Sequence, residues 1–232
     1  MKTFKILASF AILFGFASIQ TKCAKTDDIV PISTNDSTNN DTISVTIADD
    51  TVYINSTISG FVLNEVLYDP PAGSTGDANL DGTRDAQDDE FVEFVNNTDS
   101  CIDISGCKIF DDFSYSSLNH KHQFPLNTLL NPNQALVVFG GPQDSTFNSV
   151  LFGNALIFAA SESRLNLNNT GDKMWFTDSL NNVIITFDVT PLSDNPNESY
   201  TRNPDLTGSF EQHNGVSGTL FSPGTRTDGT PF

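Results

Sequence analysis

From Ile58 onward the apolar residues fall in short runs, mostly at every second position, and no stretch of ten residues keeps the 3.6 spacing of an amphipathic helix. "FVLNEVLY" (61–68) reads as a strand and ends in the turn signal "DPPAG". "EFVEFVN" (90–96) alternates, with Phe91, Phe94 and Val95 facing inward or flanking the core. "CIDISGCKIF" (101–110) follows an Asn-Asn-Thr-Asp turn, and "HQFPLN" (122–127) is a short extended piece. "QALVVFG" (134–140) is a near-continuous apolar run between "NPN" and "GGP". "KMWFTD" (173–178) and "NVIITFD" (182–188) are joined by "SLNN", a hairpin signal. Many short strands at this spacing, punctuated by Gly, Pro and Asn, predict an all-β sandwich. Its core is expected to draw on the 19 Phe and the single tryptophan, Trp175.

Ahead of Ile58 the pattern changes. Lys2 and Lys5 precede an apolar run from Ile6 to Ile19, too short for a permanent membrane span, so residues 1–23 are expected to be a secretory signal. Residues 24–57 begin as a polar tether of Thr, Ser, Asn and Asp. They end in "TISVTI" and "TVYIN" around "ADD", a possible hairpin. Residues 58–232 are left for one domain with a sizeable core. An exported chain permits disulfides. Of Cys23, Cys101 and Cys107, the last two are close enough in sequence to pair. Cys23 sits just past the apolar run, where a bacterial lipoprotein carries its lipid. Lys22 fits such a signal poorly, while the following "AKTDD" resembles the tether of surface lipoproteins. Lipidation of Cys23 and its removal with the leader both stay open.

The chain holds 29 acidic and 11 basic residues, a net charge of -18. So negative a surface repels a phosphate backbone and argues against a nucleic-acid partner, while it suits divalent cations. Its densest part is "GDANLDGTRDAQDDE" (76–90), with six carboxylates and one cation, Arg84. A twelve-residue calcium loop offers oxygens at positions 1, 3, 5, 7, 9 and 12, with glycine at 6. Counted from Asp77, those positions hold Asp77, Asn79, Asp81, Thr83 through its carbonyl, Asp85 and Asp88, with Gly82 at the turn. An EF-hand places Glu at position 12. Aspartate there resembles the loops of dockerin modules, and Asp89 or Glu90 would serve if the loop were shifted. Strands rather than helices flank it, so the expectation is one inserted Ca2+ loop, with a helical turn at "RDAQDD", clamping the first strand to the second.

"FVLNEVLYDPP", the acidic loop, "DEFVEFVNNTD", "DISGCKIFDD", "NQALVVFGG" and "SYTRNPDLTGSF" with "SPGTRTDGTPF" together resemble bacterial lamin tail domains, from about Gly60 to Phe232. The resemblance implies an immunoglobulin-like β-sandwich that binds or scaffolds rather than catalyses, often secreted or attached to the cell envelope. Where such domains usually carry an aromatic after "DISG", this chain has Cys107, a departure that favours a Cys101–Cys107 bond. The expected partners are calcium and an envelope protein or glycan, with membrane contact only through an N-terminal lipid. An adhesin-like carbohydrate or protein binder is the alternative. No nucleophile elbow, HExxH or phosphate loop supports a secreted hydrolase. His120 and His122 share a strand face but lack a third ligand, and an exposed strand accounts for them.

Overall fold

The computed structural model describes residues 58–232, apart from positions 144, 145, 163, 193 and 195. The expected signal segment (1–23), Cys23 and the tether with its hairpin (24–57) lie outside the described residues. A six-stranded sheet has the order β12-β11-β1-β2-β7-β8, built from β1 (Phe61–Leu67), β2 (Phe91–Asn96), β7 (Ala135–Phe139), β8 (Leu156–Ala159), β11 (Tyr200–Asn203) and β12 (Ser209–Gln212). A four-stranded sheet, β10-β9-β4-β5, comprises β4 (Lys108–Phe110), β5 (His122–Gln123), β9 (Lys173–Thr177) and β10 (Val183–Asp188). A small third sheet pairs β3 (Ile102–Asp103) with β6 (Leu129–Leu130). The helices are single turns, α1 (Asp112–Tyr115) and α2 (His213–Ser217). The β7–β8 pairing is parallel; the other described strand pairs are antiparallel.

Two hydrophobic layers hold the molecule together. The inner one lies between the large sheets, where Phe61 and Phe94 stack with ring centres 5.0 Å apart and both tilt against Phe176. The outer one covers the far side of the six-stranded sheet and contains Leu67, Phe91, Val95, Val137, Phe139 and Phe152. β2 and β7 are therefore buried on both faces. Phe94, Leu136 and Val138 point one way, and Phe91, Val95, Val137 and Phe139 point the other. This explains why "ALVVF" is continuously apolar instead of alternating. Trp175 departs from its expected place in the core. It sits half-buried on the open face of the four-stranded sheet, stacked on Tyr115 at 4.4 Å with 12° between the ring planes.

The expected Cys101–Cys107 disulfide does not form. Cys107 is a free thiol facing the inner layer, and Cys101 is exposed. Cys101 is itself disulfide-bonded and so has no thiol left for Cys107; in the turn "ISGC", Cys107 N–H donates to Ile104 O at 3.1 Å, and the chain passes there from the small β3–β6 sheet into β4 of another sheet. The two side chains are thereby directed to opposite environments.

Candidate functional site

The acidic loop joins β1 to β2 across one end of the sandwich. It is organised from its own side chains: Asp77 Oδ2 accepts from Gly82 N (3.1 Å), Asn79 Oδ1 from Asp81 N (2.9 Å) and Asp81 Oδ1 from Thr83 N (2.7 Å). These nested turns wrap residues 77–83 around Gly82, whose φ of 90° belongs to the left-handed region that glycine occupies without strain. Leu80 is also held there, at φ 59°, and a leucine pays about 1–2 kcal/mol for it. Asp77 Oδ1 is buried and has no hydrogen-bond partner.

The second half of the loop turns another way. Asp85 Oδ1 accepts from Gln87 N and Asp88 N, and Arg164 Nε donates to Asp88 Oδ1 at 2.8 Å, with Nη2 3.7 Å from Asp85 Oδ2. The Gln87 and Asp88 amides, with Arg164 and Arg84, hold the Asp85 carboxyl below its ordinary range. The expected helical turn is one bond long, Asp89 N to Asp85 O. Asp89 is fully buried and staples the halves together: its carboxylate accepts from Ala78 N, Asn79 N and Asp85 N at 2.7–3.1 Å. Burial outweighs those bonds and raises its pKa. The loop lies directly on "GGP": a Cβ on Gly140 would meet Gln87 O at 1.8 Å, and Asn79 Nδ2 donates to Gly141 O.

Of the six residues expected to ligate calcium, the fold brings Asp77, Asn79, Asp81 and Thr83 into one nested turn and sets Asp85 and Asp88 beside Arg164. Among the described residues no three His, Cys, Asp or Glu side chains converge closely enough to hold a metal ion. The donor set nonetheless fits calcium chemically. Every expected ligand is an oxygen, and one carboxylate oxygen is buried without a partner. Closing the set requires Asp88 to exchange Arg164 for the ion.

Below the six-stranded sheet lies a group that residue spacing did not announce. Glu65 and Glu93, both fully buried on neighbouring strands, hold the C-terminal segment. Glu65 accepts from Ser199 Oγ, Ser222 N and Ser222 Oγ at 2.6–2.9 Å; Glu93 accepts from Gly224 N (2.6 Å) and Asn64 Nδ2 (3.0 Å). Burial, and Glu65 alongside, push Glu93 well above the carboxylate range; burial likewise raises Glu65 against the pull of His213. His213 Nε2 lies 2.8 Å from Ser222 Oγ, a nucleophile-and-base distance. The imidazole is fully buried and the serine hydroxyl donates to Glu65, so the contact fastens the tail. His122, expected on an exposed strand, is buried between Phe124 and Phe158, and neither ring nitrogen has a partner.

The family model described as Lamin Tail Domain matches residues 54–191, more than half of the chain. No curated protein matches it. The matched span holds β1 to β10 and the acidic loop, while β11, β12 and the clasped tail lie beyond it.

Proposed function

Because the chain belongs to the lamin tail domain family, we propose that it is a non-catalytic binding or scaffold module of the bacterial cell envelope whose loop end is clamped by one calcium ion. The observation that supports this reading is Asp77 Oδ1, a carboxyl oxygen buried without a partner in the turn that Asp77 Oδ2 closes by accepting from Gly82 N. Asp77, Asp81, Asp85 and Asp88 with the Asn79 side chain and the Thr83 carbonyl would hold the ion. The ion would supply the positive charge that six crowded carboxylates lack. Export, and attachment through Cys23, belong to the same reading and rest on the leader-like composition of residues 1–23.

Thermal melting tests the clamp. A ligand that binds only the folded state adds about 2.7 kcal/mol at a hundredfold excess over Kd, or about 5–10 °C for a domain this size. Melting should rise by that order in millimolar calcium relative to chelator, rise less in magnesium, and stop responding in Asp77→Ala/Asp81→Ala. Superimposable curves at low ionic strength would end the calcium reading. The alternative, an adhesin-like binder using the loops at the sandwich end, gains support from the cavity beside this loop.

A further inference from the structure

Between the acidic loop and the loop at residues 166–169 lies a cavity of about 320 Å³, at the small end of ligand sites. Seven of its ten lining residues carry hydrogen-bonding side chains, several of them already fixed in place. Glu90 is 3% exposed, with Oε2 accepting from Leu167 N at 3.2 Å. Asp69 is 7% exposed; its carboxylate accepts from the Asn169 amide and from Asn197 N. Asn166 Oδ1 accepts from Gln87 Nε2, and Arg84 Nε donates to Pro71 O at 2.8 Å. Asn168 completes the polar wall, and Pro70 and Leu167 give it two apolar patches.

We propose that this cavity binds a neutral sugar ring through vicinal hydroxyls. The charge balance selects the ligand class. Asp69 repels phosphates and carboxylates, while Arg84 disfavours an amine or a metal ion. A hydroxyl donates and accepts at once, so a polyol matches a wall that mixes carboxylates, amides and a guanidinium. Planar carboxylate and amide groups present two polar atoms side by side, the spacing that two adjacent hydroxyls need. Because the wall is cross-linked by its own hydrogen bonds, little order is lost on binding. Arg84, Gln87 and Glu90 belong to the acidic loop, so the inference deepens the binding-module reading above: calcium fixes one wall of the sugar site.

Saturation-transfer NMR with a mixture of the methyl glycosides of glucose, galactose, mannose and N-acetylglucosamine, on the folded domain in millimolar calcium, reads the site directly. At least one glycoside should show transfer. Asn168→Ala, at an exposed position, should weaken its affinity by about tenfold while the variant still melts cooperatively, its cost to the fold being the two bonds that the Asn168 side chain accepts from Thr170 N and Oγ1. Absence of transfer from all four, or equal transfer in wild type and Asn168→Ala, would overturn the sugar site. The two readings separate cleanly. A calcium-dependent melting shift without sugar binding removes only the cavity's role, and sugar binding without a calcium shift removes only the clamp.

Discussion

His122 is buried among phenylalanines, and the lack of any partner for its ring makes charge expensive there. Burial, with His120 nearby, lowers its pKa from 6.5 to about 4. The unfolded chain therefore binds this proton more readily than the fold does. The associated stability is complete above pH 6.5 and is lost as pH falls through about 4, a loss on the order of 3 kcal/mol. The raised glutamates, Glu90 and Glu93, tilt stability the opposite way over the acid range. The informative measurement is thus the gap between wild type and His122→Leu in denaturant melts, which should change by that amount from pH 7 to pH 4; a constant gap would show that the ring finds a partner. Cys107 makes a second residue-level case. Burial pushes its thiol up to about 12, so a thiol reagent should modify it at least about a hundredfold more slowly in the folded than in the unfolded protein. A peptide map linking Cys101 to Cys107 would contradict the fold. At this scale the spacing of Asp77, Asn79, Asp81 and Gly82 was legible because its bonds span two to five residues. Glu93 was not, because its partners lie 29 and 131 positions away.

Strands were legible wherever packing on one or both faces left a pattern. "FVLNEVL", "FVEFVN", "ALVVF" and the β9–β10 hairpin all stand where their apolar positions place them. "CIDISGCKIF" reads as one strand yet supplies two, because Gly106, at φ 72°, reverses the chain between sheets. β8, β11 and β12 escaped notice. β8 pairs in parallel with β7 and its side chains are only half-buried; β11 and β12 are four residues each, and "YTRN" and "SFEQ" have little apolar content. β11 nevertheless pairs with β1, and the tail beyond it supplies Phe221 and Phe232 to the outer layer. Truncation after residue 197 should therefore expose both the β1 edge and that layer and yield an aggregating protein. A monomeric, melting truncate in sedimentation would refute this. Glu93→Ala is the gentler version. It leaves Gly224 N without its acceptor and the Asn64 amide with Asp205 alone, at a cost of about 2–4 kcal/mol in chemical denaturation.

For the molecule as a whole, the net charge of -18 concentrates its effect at the loop end of the sandwich. Arg164 is the counter-charge there, partly exposed and shared between Asp85 and Asp88. Screening limits such a pair to about 1 kcal/mol or less. Arg164→Gln should lower calcium-free melting by about 2–4 °C and enlarge the rise on adding calcium, since Asp88 no longer has to exchange partners. An unchanged calcium response would show that Asp88 is not a ligand. The position of β1 has a mechanical consequence as well. The chain enters it at Ile58, and β1 is an inner strand, laddered antiparallel to β11 on one side and β2 on the other. A pull on the chain ahead of Ile58 runs along the axis of β1, so both ladders must slide together before the domain opens. A pull on the edge strand β12 peels its four residue pairs from β11 one after another. A module hung from its N-terminal end thus meets load through its strongest seam, and in force spectroscopy should rupture at higher force from residue 58 than from β12.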